Sequence, residues 1–134
     1  MIDTRLHHVG IVVPTEAQAV TLMELLGLTE AYRGFVEHYQ ALCIFTVGNG
    51  ASPLELVVPS GGVLKDFNPG VGGLHHVAFS VSNLHDLADD LNQRGIKLTE
   101  DEPVRGAGPF YCNFLSPVYT RGVVVEFVQE DTSV

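Results

Sequence analysis

Hydrophobic and polar positions alternate in two short segments that are nearly identical. Residues 6–13 read LHHVGIVV and residues 74–81 read LHHVAFSV, at an offset of 68 residues. Alternation with a period of two is typical of β-strands that pack one face on a core. The similarity continues beyond these segments, so the sequence predicts a duplicated unit that begins with a strand.

A helix with the same start and stop signals follows each of these strands. Thr15 and Asn83 are of the residue types that cap helix N-termini, and Gly27 and Gly95 are placed to end the helices. Both pairs are again 68 residues apart. Hydrophobic residues recur at helical spacing between cap and glycine: Val20, Met23 and Leu26 in the first helix, and Leu84, Leu87, Ala88 and Leu91 in the second.

Each helix is followed by segments with the composition of β-strands. They cover about residues 29–35, 40–47 and 53–58 in the first half, and about 97–103, 109–115 and 122–129 in the second. The sequence therefore predicts one α+β domain, residues 1–134, made of two tandem β-α-β-β-β modules. Module one covers residues 1–59, a glycine- and proline-rich linker covers 60–73, and module two covers 74–134.

The composition excludes two classes of partner. The formal charge is −9, with 7 Lys and Arg scattered among 16 Asp and Glu, whereas nucleic-acid binding needs clustered cations. The longest hydrophobic run is far shorter than the roughly 20 residues that span a bilayer. No export signal is visible at the N-terminus. We therefore expect a cytoplasmic protein that binds neither nucleic acid nor a membrane.

The first strand of each module carries a histidine on the face that does not pack under the helix. This histidine is followed, two positions later on the same face, by a small residue. The two residues are His8 and Gly10 in module one, and His76 and Ala78 in module two. A small neighbour leaves room above the imidazole ring.

The last strand of each module carries a carboxylate among hydrophobic residues. Glu55 lies in the segment PLELVV, and Glu126 lies in the segment VVVEFV. An unpartnered buried carboxylate is costly, so we expect both glutamates to share the inner face with the histidines. A lone His or Glu is more often a surface or core residue than a ligand. Its occurrence at matched places in both modules favours a metal site.

The predicted metal ligands are His8, Glu55, His76 and Glu126, brought together by a pseudo-twofold axis. Two imidazoles and two carboxylates suit a borderline divalent cation with open positions for water or substrate. These donor types do not distinguish between Co, Mn, Ni, Zn and Fe.

With these residues, the chain resembles the vicinal oxygen chelate superfamily, which includes glyoxalase I, bleomycin resistance proteins and extradiol dioxygenases. The resemblance covers nearly the whole chain. Within the superfamily, the chain is most similar to methylmalonyl-CoA epimerases, in the segments HVGIVV, LELVVP, GGLHHVAFSV, EDEPVRGAG and GVVVEFV. The resemblance implies an open, cup-shaped mixed sheet around the metal. It also implies that the second histidine of each doublet is the ligand, and that His7 and His75 are either structural or support the ligands without touching the metal.

The resemblance to the epimerases also implies a catalytic base. That family has a glutamate well upstream of the first carboxylate ligand, and Glu37 stands at the corresponding place. The chain departs from the family pattern at Ser116-Pro117-Val118, where the family has His-Pro-Lys, and in its shorter linker. The missing lysine bears on coenzyme A recognition and leaves the predicted metal ligands unaffected.

The leading hypothesis is a metal-dependent epimerase. Its metal stabilises the enolate that forms when a proton leaves the carbon next to a carbonyl group, and Glu37 and Glu126 transfer protons on opposite faces. We expect a small carbonyl acid or an acyl thioester as substrate, and a homodimer as the assembly. Three alternatives stay open: a glyoxalase I-like lyase acting on glutathione hemithioacetals, an iron dioxygenase using His8, His76 and Glu126, and a metal-free protein that sequesters a small molecule.

Overall fold

The computed structural model of the chain describes residues 2–48 and 53–131. Positions 1, 49–52 and 132–134 of the two predicted modules lie outside the described residues. Module one consists of β1 (Arg5–Val12), α1 (Glu16–Leu26), β2 (Thr29–Val36), β3 (Ala41–Val47) and β4 (Leu54–Pro59). A 3-10 turn, Glu37–Tyr39, joins β2 to β3, and a short helix α2 (Gly62–Lys65) lies in the linker.

Module two repeats the same order of elements. It consists of β5 (Gly73–Ser80), α3 (Leu84–Gln93), β6 (Val104–Arg105), β7 (Phe110–Leu115) and β8 (Val124–Glu130), with a 3-10 turn at Pro117–Tyr119. Within the described residues, the helices are all too short or too polar to cross a lipid bilayer.

The four strands of each module form a mixed sheet with the same strand order. In module one the order is β2-β3-β4-β1, in which β1 and β4 are parallel and the other neighbours are antiparallel. Module two repeats this order as β6-β7-β8-β5, in which β5 and β8 are parallel. The predicted α+β class with two tandem β-α-β-β-β modules is confirmed.

The chain divides into two compact units whose boundaries fall inside the two histidine doublets. One unit is His8–His75, and the other combines Met1–His7 with His76–Val134. Ile2 packs against the hydrophobic cluster of the second unit. The linker helix α2 lies within the first unit.

Both long helices begin and end at the predicted residues. The side chains of Thr15 and Asn83 each accept a hydrogen bond from the backbone N–H three residues later, at 3.2 and 2.9 Å. Gly27 and Gly95 take the left-handed conformation, with φ of 67° and 77°. The residue after each glycine donates its N–H to the carbonyl five residues back, at 2.9 Å in both helices. These bonds satisfy terminal backbone groups that would otherwise lack a partner.

Each helix packs on the face of its sheet that lies opposite the predicted ligands. The core cluster of module one consists of Val13, Ala19, Met23, Ile44 and Leu56. That of module two consists of Leu84, Leu87, Leu91, Leu98 and Phe127. The predicted stripe of α3 is confirmed, but that of α1 is wrong in part, because Val20 and Leu26 are exposed and Ala19 is buried. Hydrophobic residues occur nearly all around α1, so their spacing does not indicate which face of the helix is buried.

The strand predicted at 97–103 is wrong. Leu98 packs into the helix cluster instead of alternating along a strand. The side-chain amide of Asn113 accepts a hydrogen bond from the N–H of Glu100 and donates one to its carbonyl, each at 3.0 Å, and so holds this segment in a bend. Only Val104–Arg105 pairs with β7, as strand β6.

Candidate metal centre

His8 and Glu55 form a buried pair in module one. The parallel register of β1 and β4 places Gly10 beside Glu55, and His8 lies two residues before Gly10 on the same face. Nε2 of His8 lies 3.5 Å from Oε1 of Glu55. Both side chains are buried.

His76 and Glu126 form the matching pair in module two. The register of β5 and β8 places Ala78 beside Glu126, with His76 two residues earlier on the same face. Nε2 of His76 lies 3.0 Å from Oε1 of Glu126, and both side chains are buried. Each module thus brings its predicted histidine and its predicted glutamate together at the same register position.

A phenylalanine that sequence analysis missed lies beside each pair. Phe45 is the cross-strand partner of Glu55, and Phe114 is the cross-strand partner of Glu126. The ring of Phe45 meets the ring of His8 edge-on, at 5.1 Å between centroids and 81° between planes. Phe114 and His76 meet in the same manner at 6.3 Å and 89°. The sequence signal for these residues would be an aromatic residue on the strand next to the carboxylate. It can be recognised only when the strand register is known.

The first histidine of each doublet has other partners. Nε2 of His7 lies 2.8 Å from Oε1 of Glu130, and its ring packs edge-on against Phe110 at 5.7 Å. The ring of His75 packs edge-on against Phe67 at 5.1 Å. Adjacent residues on a strand point to opposite faces, so neither histidine shares the face of its neighbour.

Glu37, the proposed base, is exposed in the 3-10 turn that follows β2. The preceding residue, Val36, pairs with Ala41, which in turn pairs with Pro59. Pro59 is four residues beyond Glu55 on β4, which corresponds to about 13 Å along the strand. Glu37 therefore lies near the carboxyl end of β4, whereas the His8–Glu55 pair lies near its start.

The chemistry of both pairs fits a divalent metal. Each pair offers one imidazole nitrogen and one carboxylate oxygen, which are donors that borderline divalent cations accept. Buried charges in proteins are normally paired or coordinate metals, because removing a carboxylate from water is costly. The cross-strand phenylalanines keep each pair in hydrophobic surroundings.

A duplicated β-α-β-β-β module with a buried His–Glu pair in each copy defines the class of this protein. Residues 7–114 match the model of the Glyoxalase/Bleomycin resistance protein/Dioxygenase superfamily. The chain belongs to this superfamily, and the resemblance inferred from the sequence is confirmed.

Similar proteins include several epimerases. The ethylmalonyl-CoA/methylmalonyl-CoA epimerase of Cereibacter sphaeroides is 33% identical, over 93% of this chain and 97% of its own length. The mitochondrial methylmalonyl-CoA epimerase of Bos taurus is 29% identical, over 93% of this chain and 74% of its own length. A variant of Streptomyces coelicolor methylmalonyl-CoA epimerase, solved with 2-nitronate-propionyl-CoA, is 26% identical. It has a TM-score of 0.85 over 98% of this chain and 97% of its own.

Proposed function

We propose that this protein is a metal-dependent epimerase that removes and returns a proton on the carbon next to a carbonyl group. The observation that carries the proposal is the duplicated buried pair, in which each module holds a histidine Nε2 against a glutamate Oε1. The epimerases among its relatives support the reaction class, because they are similar over more than nine-tenths of this chain.

His8, Glu55, His76 and Glu126 together bind one divalent ion in this proposal. Their two imidazoles and two carboxylates suit Co, Mn, Ni, Zn or Fe, and leave coordination positions for the substrate. Such an ion would supply Lewis-acid stabilisation of the charge that develops on the carbonyl oxygen during proton loss.

Two carboxyl groups exchange the proton on opposite faces of the substrate. The carboxylate of Glu37 takes the α-proton, and the electron pair of the broken C–H bond is delocalised into the carbonyl group as an enolate. The carboxyl group of Glu126, in its protonated form, then gives a proton to the other face of that carbon. The opposite configuration results. Glu37 then releases its proton to water and Glu126 takes a proton from water, which returns both groups to their starting forms.

The substrate class that we propose is an acyl thioester with a substituent on its α-carbon. The relative solved with 2-nitronate-propionyl-CoA supports a thioester with this skeleton. Val118 stands where the epimerase family has a lysine, so shorter thioesters that lack the nucleotide belong in the test as well as coenzyme A thioesters. We further propose a cytoplasmic homodimer, for which light scattering should give twice the mass of one chain.

The decisive experiment is exchange of the substrate α-proton in deuterated water, followed by proton NMR. Racemic methylmalonyl-CoA and 2-methyl acyl thioesters of N-acetylcysteamine are incubated with protein loaded with Co, Mn, Ni, Zn or Fe. We expect exchange with loaded protein and none after metal removal. Absence of exchange with every metal, combined with turnover of a glutathione hemithioacetal, would show that the protein is a lyase and not an epimerase. Binding of a drug-like compound without any turnover would show that the protein sequesters a small molecule and is not an epimerase.

A further inference from the structure

A cavity of about 360 Å³ lies in module one, between the carboxyl ends of β1 and β4, the turn before α1, and the linker. Its floor includes Val12 and Pro59, the last residues of these two strands. Val12 lies four residues after His8, and Pro59 lies four residues after Glu55. Both floor residues therefore share the face of the His8–Glu55 pair, about 13 Å farther along the strands.

The turn that carries Glu37 lies at the same end of the sheet as the cavity. Val36, which precedes this turn, pairs with Ala41, and Ala41 pairs with Pro59 on the cavity floor. A substrate that lies between the His8–Glu55 pair and the carboxylate of Glu37 therefore points one end toward the cavity. In a thioester, that end is the arm attached to the sulfur atom.

The walls of the cavity are exposed or half-buried and combine apolar groups with charge. Leu64, Phe67 and Pro69 supply apolar surface, and Lys65 and Asp66 also line the cavity. Small-molecule pockets commonly have volumes of about 300 to 1,000 Å³ and this mixture of apolar walls with few polar groups. The arm of coenzyme A has a matching composition, because methylene, methyl and amide groups precede its phosphates.

Lys65 is a cation with no ion-pair partner in the part of the chain that the structure describes. Four other cations of the chain form ion pairs with carboxylates, namely Arg33, Arg94, Lys97 and Arg105. The chain carries a formal charge of −9, so its overall field repels anions. An unpaired lysine beside a cavity therefore favours an anionic group on the ligand at this place.

We propose that this cavity binds the arm of a coenzyme A thioester and that Lys65 contacts one of its phosphate groups. The inference rests on the proposed epimerase function and narrows its substrate class to thioesters that carry the nucleotide. Lys65 thereby supplies the cation that the chain lacks at Val118, where the epimerase family has a lysine. The carboxylate of Asp66 opposes the phosphate and weakens this contact.

The test measures kcat and KM for α-proton exchange on methylmalonyl thioesters of coenzyme A and of pantetheine, which has no phosphate. Lys65→Glu should raise KM for the coenzyme A thioester by about fivefold or more and leave its kcat unchanged. Both constants for the pantetheine thioester should stay at wild-type values, because this substrate has no charge to meet the new carboxylate. Asp66→Asn should lower KM for the coenzyme A thioester by about twofold. Lys97→Glu is the matched control, since it changes the net charge equally at an exposed position outside the cavity lining.

Calorimetric titration with coenzyme A itself measures binding without any reaction, and thermal melting shows that each variant is folded. We expect the wild type and Lys97→Glu to bind coenzyme A equally, and Lys65→Glu to bind it about fivefold more weakly. Equal affinity in the wild type and Lys65→Glu would overturn the inference, and α-proton exchange by the wild type would still support the proposed function. An equal loss in Lys97→Glu would mean a general effect of net charge and would overturn the inference as well. A wild type that binds coenzyme A through Lys65 but exchanges no α-proton would overturn the proposed reaction and support the binding site.

Discussion

At the scale of single residues, the two histidines of each doublet differ in what they contact. His8 and His76 face buried carboxylates, whereas His7 faces the exposed Glu130 and His75 packs on Phe67. The difference follows from strand geometry, because consecutive side chains point to opposite faces of a sheet. Only the second histidine of each doublet can therefore share a face with the glutamate of the neighbouring strand.

The first prediction concerns metal content. His8→Ala, Glu55→Ala, His76→Ala and Glu126→Ala should each lower bound divalent metal sharply, because each removes one of four donors. His7→Ala and His75→Ala are the matched controls and should keep full occupancy. Elemental analysis of protein purified without chelator measures the effect. Full occupancy in any two of the first four variants would contradict the proposed site.

The second prediction concerns Glu37. Glu37→Gln should lower α-proton exchange by about 100- to 10,000-fold, because the amide keeps the shape of the side chain and removes its basicity. Metal content and melting temperature should stay at wild-type values, since Glu37 is exposed and lies outside the proposed ligand set. Unchanged exchange in this variant would eliminate Glu37 as the base.

The sequence predicts those site residues whose position is determined by the alternation of side chains along a strand. Alternation places His8 and Glu55 on inner faces, and duplication repeats this placement at His76 and Glu126. Phe45 and Phe114 escaped prediction because their position beside the glutamates depends on the pairing of β3 with β4 and of β7 with β8. The strand register depends on contacts between distant parts of the chain. A shift of the register by one residue moves every side chain of the strand to the other face of the sheet.

At the scale of elements, capping accounts for the limits of the two long helices. Asn83→Ala should lower the free energy of unfolding by about 1 kcal/mol, because it leaves the N–H of Asp86 without its 2.9 Å bond. Asp89→Ala, at an exposed position in the same helix, is the control and should change stability by no more than about 0.5 kcal/mol. Denaturant titration of both variants measures this. Equal stabilities would show that the cap does not set the start of α3.

Elements with strong local signals were predicted well, and those set by distant contacts were not. The caps and the left-handed glycines act within one helical turn, so Thr15 and Gly27 identified α1 correctly. The segment at 97–103 resembles a strand by composition. The side-chain amide of Asn113, on β7, however bonds the backbone N–H and carbonyl of Glu100. A bond between residues 13 positions apart has no signature in the local pattern.

At the scale of the whole molecule, duplication is the main feature. Both modules share their order of elements, their strand order and the register that sets a small residue beside the glutamate. The buried pair of one module offers one imidazole and one carboxylate, which is half of a four-donor set. A chain with two modules can therefore provide a complete metal site of a kind that a single module cannot.

The last prediction follows from this division of ligands. If one ion takes donors from both modules, metal binding should stabilise the whole chain against unfolding, because the ion binds the folded state and not the unfolded one. At a free metal concentration about 100 times the dissociation constant, the gain is about 2.7 kcal/mol. Thermal melting with and without a chelator should show one transition that moves to lower temperature on metal removal. His8→Ala and His76→Ala should each abolish the shift, and His7→Ala should keep it. A shift that survives in either ligand variant would mean that the metal binds within one module.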